Sequence, residues 1–188
     1  KNVMKKLSSF LLSVLVTVFF ISCSNDDDDG DDMMSLMPSG NTISYDLSTK
    51  DVDGISGTAT FVENTDASVT IRLDISGTPA GGVHPAHIHF NTAAEGGGIA
   101  LSLAPVDGDS GESEITVSAL DDGTLITYQE LIAFDGYINV HLSADELGTI
   151  VAQGDIGQND LTGTTITYDL AERAVPGISG NVTFSERL

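Results

Sequence analysis

The sequence predicts an all-β fold, an antiparallel Greek-key sandwich or barrel, and three observations carry that expectation. Short segments rich in valine, isoleucine and threonine recur along the chain, each closed by glycine, aspartate or proline, the pattern of many strands joined by tight turns. Ser68-Val69-Thr70-Ile71-Arg72-Leu73-Asp74-Ile75 alternates polar and apolar residues, as a half-buried antiparallel strand does. The chain has one cysteine, so no internal disulfide supports the fold and a hydrophobic core must hold it. About 120 residues are enough for such a core.

Taken in order, residues 1–22 read as a targeting segment rather than as part of the fold. Lys1, Lys5 and Lys6 precede an apolar run from Leu7 to Ile21, which ends at Ser22-Cys23. A small residue before the cysteine resembles the lipobox of bacterial lipoproteins, which implies that Cys23 is acylated and becomes the mature N-terminus. The alternative is an ordinary signal peptide with an incidental cysteine. Residues 23–40 read as an acidic tether. Asp26 to Asp29, Asp31 and Asp32 crowd six carboxylates into seven positions, and their mutual repulsion prevents a core from forming there. Acidic residues placed just after an acylated cysteine also resemble a surface-export signal of some Gram-negative lipoproteins; a plain spacer is the other reading.

Residues 41–163 form the β domain. Besides Ser68–Ile75, strands are expected at Thr58–Val62, Ile99–Leu103, Glu114–Val117, Tyr137–Leu142 and Thr149–Ile156. Two helical turns are expected, one over Thr127–Phe134 and one starting at Ser143, where Glu146 stands at capping-box spacing. Residues 164–188 read as the start of a second repeat. Thr42–Glu63 aligns without gaps on Thr165–Glu186, with identity at 13 of 22 positions and an offset of 123 residues. Such an offset is the length of one small domain. The expectation is a tandem array of which this chain holds one complete unit and two strands of the next. The alternative, a single domain whose first and last strands merely look alike, is disfavoured by gap-free identity over this length.

The formal net charge is -21, although the leader alone contributes three lysines. So acidic a surface repels nucleic acid and anionic lipid headgroups. Membrane attachment is therefore expected only through the lipid on Cys23, with a protein or glycan ligand as a further partner. The address this implies is the bacterial cell envelope, with the lipid in the outer membrane.

All four histidines lie in two strand-like segments, His84-Pro85-Ala86-His87-Ile88-His89 and Tyr137-Ile138-Asn139-Val140-His141. In a strand, residues two apart share a face. His87 and His89 therefore project together, as do Tyr137, Asn139 and His141. If the two strands are neighbours, three imidazoles converge, enough for a copper or zinc site with an open coordination position. His84 is a fourth ligand or a supporting neighbour. The competing reading is structural, with imidazoles tying strands together through backbone carbonyls.

Three motifs in this order resemble the CHRD (chordin-type) domain. They are Ala86-His87-Ile88-His89, Tyr137-Ile138-Asn139-Val140-His141 and Gly148-Thr149-Ile150-Val151-Ala152-Gln153-Gly154, with a Gly-rich stretch at Glu95-Gly96-Gly97-Gly98. The resemblance covers about Gly54 to Gly157. It departs at Thr149, where the family usually has glutamate. It implies a secreted or lipid-anchored module, sometimes repeated, and carries no established activity with it. The lipobox, acidic tether and repeat are what suit a binding or structural role. The spacing His84-x-x-His87-x-His89, with Val140-His141 and Ala144-Asp145-Glu146-Leu147-Gly148, is more distantly similar to copper/zinc superoxide dismutase. That similarity implies a superoxide-dismutase-like β fold, with an immunoglobulin-like sandwich as the alternative. It also implies His87, His89 and His141 as copper ligands and His84 as their neighbour. The chain departs from it by lacking a histidine to bridge copper to zinc, a cysteine pair, and any arginine between Arg72 and Arg173. A copper-binding redox protein is thus the alternative to a tethered binding module, and dismutase activity is not expected.

Two other stretches are candidates of lower rank. Asp107, Asp109 and Glu112 offer oxygen ligands to calcium but lack the full EF-hand loop. The Gly-rich stretch lacks the lysine of a phosphate cradle. No nucleophile-elbow spacing supports a hydrolase.

Overall fold

In the computed structural model, residues 37–188 are described. The leader, Cys23 and all but the last residues of the expected tether lie outside them. Along the described chain run β1 (Pro38–Thr49), β2 (Ser56–Asn64), β3 (Val69–Ser76), β4 (Val83–His84), β5 (Ala86–Phe90), β6 (Ile99–Ser102), β7 (Val106–Asp107) and β8 (Glu112–Val117). A one-turn helix, α1 (Tyr128–Leu131), leads to β9 (Asp135–His141), β10 (Ile150–Gly157), β11 (Leu161–Leu170) and β12 (Gly180–Arg187). Eight strands form one antiparallel sheet in the order β6-β5-β9-β10-β1-β2-β3-β8, curled into a half-barrel. The all-β expectation holds.

β1 makes the curl possible. Thr42 to Leu47 pair with β2, whereas Ser48 and Thr49 pair with Gln153 and Ala152 of β10. One strand thus belongs to both halves of the sheet. Tyr45, Leu47, Phe61, Ile71, Leu73 and Ile75 from one half meet Ile88, Ile138, Val140 and Ile156 from the other, all at most 2% exposed. Burial of each such side chain contributes about 1.5–3 kcal/mol. Alternation on β3 matches the sequence pattern: Ile71, Leu73 and Ile75 are buried, while Arg72 and Asp74 are exposed. A register shift between Ile150 and Ala152 lets Val151 and Ala152 both be buried, which strict alternation forbids. Leu131 on α1 is fully buried. The helix starts at the Thr127–Glu130 capping box, in which each side chain accepts from the other residue's backbone N–H.

Three local expectations need correction. β1 begins at Pro38, inside the segment assigned to the tether, because Ser39 and Asn41 both donate to the Glu63 carboxylate, at 2.7 and 2.6 Å. The segment after Ser143 makes turns rather than a helix, with Glu146 N–H donating to Ser143 O and Thr149 N–H to Glu146 O. Gly148 and the return into β10 leave it no length to propagate. α1 ends at Leu131, short of Phe134.

β11 and β12 form a separate hairpin that copies β1 and β2. Thr165↔Ser185 through Leu170↔Gly180 repeats Thr42↔Val62 through Leu47↔Gly57, and each ladder has an irregularity at the same place. The Ser44–Thr60 hydroxyl pair, 2.8 Å, returns as Thr167–Thr183 at 2.7 Å. Burial does not repeat. Tyr45 and Phe61 are at most 1% exposed, whereas Tyr168 is 53% and Phe184 58% exposed. Arg187 ties the hairpin to the domain through Asp155, at 2.6 Å, and through the Asn159 carbonyl.

Candidate metal centre

The local sequence places β5 against β9 by putting isoleucine and valine on the core side of both. Ile88 pairs with Ile138 and Ala86 with Val140, all essentially inaccessible. Alternation then sends the remaining residues to the opposite face, where His87 faces Asn139 and His89 faces Tyr137. His141 N–H donates to Pro85 O at 2.8 Å, one step beyond the ladder. The imidazoles of His87, His89 and His141 converge as the sequence predicts. Their ring centroids are 5.2 Å apart for His87–His141, 6.0 Å for His87–His89 and 6.5 Å for His89–His141.

Two of the three rings are oriented by backbone carbonyls. His89 Nδ1 donates to Gly97 O at 3.0 Å, and His141 Nδ1 donates to Leu147 O at 2.7 Å. A carbonyl only accepts, so in both rings Nδ1 carries the proton and Nε2 keeps its lone pair. Those Nε2 atoms and His87 Nδ1 are buried and without a hydrogen-bond partner. His87, His89 and His141 each bring one ring nitrogen within 4.8 Å of the other two, a group that could hold a metal ion. At a metal–nitrogen distance of about 2.0–2.1 Å, three imidazole nitrogens stand about 3.3–3.5 Å apart, so the rings close in slightly on a cation.

The surroundings favour the neutral form of His87 and His141. Burial, and next the proximity of His141 and His89, hold His87 below the ordinary histidine value, with Asp121 pulling the other way. Burial also lowers His141, partly offset by its bond to Leu147 and reinforced by His89. Neutral imidazole is the form that binds metal. Tyr137 stacks on His89 at 4.9 Å and 15°. Gln153 Nε2 on β10 donates to Asn139 Oδ1 on β9 at 2.8 Å, fixing the side chain that faces His87. Asp121 is held beside the site by Ser102, whose backbone and hydroxyl both donate to it. The sequence pattern does not reveal Asp121 or the two carbonyls, since all three arrive from loops.

His84 is not part of this group. It is 1% exposed, and its Nδ1 donates to the His141 carbonyl at 3.2 Å. It therefore supports the backbone of His141 instead of adding a fourth nitrogen to the group. The acidic turn is self-satisfied. Asp107 accepts from the Asp109 and Ser110 N–H groups, and Asp109 accepts from Gly81 N–H. Asp107, Asp109 and Glu112 form no metal-binding group among the described residues. The chain matches no protein-family model and no curated protein.

Proposed function

We propose that this chain is a lipid-anchored protein of the bacterial envelope whose β domain is a CHRD-like binding module. It takes a copper ion, or zinc in its place, on His87 Nδ1, His89 Nε2 and His141 Nε2. One observation carries the reading: three buried imidazole nitrogens share one small space, and two have lone pairs directed there by carbonyls. His84 also has a buried Nε2 without a partner, but it stands alone, whereas the other three rings bring theirs into one group. Nitrogen-only donors suit copper and zinc better than calcium or magnesium. The acidic tether, the acyl signal at Cys23 and the replicated hairpin suit display of successive units from a membrane, where several weak contacts add up. A protein or glycan ligand fits the same display.

A second reading is a copper-dependent redox protein related to superoxide dismutase, favoured by the partial exposure of His87 and His89, which gives small molecules access to a bound ion. Against it stands the acidic field of the chain, which repels an anionic substrate. Equilibrium dialysis of the purified chain against copper and zinc, separately, tests the metal. One equivalent per chain supports it, and none at neutral pH refutes it. Dismutation by the copper-loaded chain at a rate above free copper would move the assignment to the second reading. Labelling with a radioactive fatty acid in the host, lost in Cys23→Ser, tests the anchor.

A further inference from the structure

The glycine-rich stretch at Glu95-Gly96-Gly97-Gly98 finds no use as a phosphate cradle, yet the loop containing it is heavily braced. Phe90 N–H donates to Gly98 O at 3.0 Å, closing the loop onto β5. Asn91 takes the left-handed conformation, φ 67°, and its side-chain amide donates to Gly96 O at 2.9 Å. The Glu95 carboxylate accepts from Thr92 N–H and from its hydroxyl. At the base, Ala93 N–H donates to Asp155 at 2.7 Å, and the buried Asn159 amide donates to Asn91 O at 3.2 Å. The result is one carbonyl, that of Gly97, held 3.0 Å from His89 Nδ1.

Stacking on Tyr137 confines the plane of the His89 ring. It does not decide which nitrogen carries the proton. We propose that the Asn91–Gly98 loop is a ligand-orienting clamp: its Gly97 carbonyl fixes the Nδ1–H tautomer of His89 and so delivers Nε2 to the metal. Gly97 is then a positioning residue. The steric evidence singles it out. A Cβ at Gly97 would stand 2.0 Å from Phe90 O, whereas a Cβ at Gly98 meets nothing within 4 Å. Two adjacent glycines thus differ sharply in how far they tolerate a side chain. His141 receives the same service from Leu147 O through a different loop, which makes it an internal control.

The inference rests on the metal reading above for its purpose, but its first observable needs no metal. Long-range ¹H–¹⁵N NMR of the metal-free chain, above the imidazole titration range, reports each ring's tautomer. The wild-type chain is expected to show Nδ1–H at both His89 and His141. Gly97→Ala is expected to give mixed tautomers at His89 alone, and zinc affinity weaker by about 10–100-fold, the usual effect of losing a partner behind a ligand. Gly98→Ala is expected to leave both unchanged. Asn91→Gly keeps the left-handed turn but removes the amide bond to Gly96, so it loosens the clamp without a clash and guards against misfolding of Gly97→Ala. It is expected to shift His89 in the same direction. A single Nδ1–H tautomer at His89 in both variants, or an equal shift in Gly98→Ala, would overturn the clamp. A wild-type chain with the expected tautomers but no zinc affinity would sink the metal reading and leave the clamp standing.

Discussion

Replacing His84 by alanine separates the frame of the site from its donors. The imidazole is almost fully buried, and its one hydrogen bond, 3.2 Å to the His141 carbonyl, ties β4 to β9. Losing that bond costs about 0.5–1.5 kcal/mol. Deleting the ring leaves a cavity of roughly 60 Å³, which at about 24 cal/mol per Å³ adds about 1.5 kcal/mol. Opposing these losses, His84 Nε2 is buried without a partner, and removing it returns about 1 kcal/mol. The net destabilisation is about 1–2 kcal/mol, a fall in Tm of several degrees, of order 3–10 °C for a domain of this size. Copper or zinc stoichiometry should stay at the wild-type value, since no donor has been removed. His141→Ala removes a donor and is expected to abolish metal binding, with a loss of stability of the same order, since that ring is also buried, bonded once and left with an unpartnered Nε2. Calorimetric unfolding and metal analysis on the same samples read both quantities. A cooperatively folded His84→Ala chain without metal, or one with unchanged Tm, would refute the reasoning.

The remaining predictions concern titration, core and seat. His87 and His141 titrate below the ordinary value of 6.5 when folded, chiefly through burial. The unfolded chain therefore takes up these protons first as pH falls. Their contribution to stability is complete above 6.5 and is lost as pH drops from there through the lowered folded values, which urea unfolding of the metal-free chain at stepped pH will show. Metal affinity should fall over the same range, as protons compete for the nitrogens. Leu131→Ala empties a site with no exposure beneath α1 and should cost about 2–5 kcal/mol by urea denaturation. Ala59→Val introduces the residue that the copied hairpin carries at Val182. Ala59 is fully buried, so the extra methyls should destabilise by about 1–3 kcal/mol. An unchanged midpoint would show that one seat accepts either hairpin.

What the sequence reveals and conceals follows from the range of each interaction. Strand alternation is local, so Ile88, Ile138 and Val140 are legible as core and His87, His89 and His141 as one face. Their convergence needs only that β5 and β9 be neighbours. His84 is illegible by the same rule. Pro85 separates it from β5, and β4 pairs instead with Val106 on β7, so the alternation starts afresh. The irregularity at Ile150–Ala152 depends on what β9 offers across the ladder. The two orienting carbonyls come from loops, where side-chain identity says little about backbone direction. Gly97 carries a trace of its role as a glycine, but only the approach of Phe90 shows why. The copied hairpin is plain in the sequence, yet its exposure is not. Tyr168 and Phe184 stand in a sequence closely similar to that around Tyr45 and Phe61, with Thr167 for Ser44 and Ser185 for Val62, and lack the opposing layer that buries them.

The central claim is that three named nitrogens hold one cation. X-ray absorption of the zinc-loaded chain, alongside the single variants His87→Ala, His89→Ala and His141→Ala, tests it most directly. The account predicts one zinc per chain with three imidazole nitrogens at about 2.0–2.1 Å, and loss of stoichiometric metal in each variant. Oxygen-dominated coordination, or metal retained when any one of the three is removed, would contradict it.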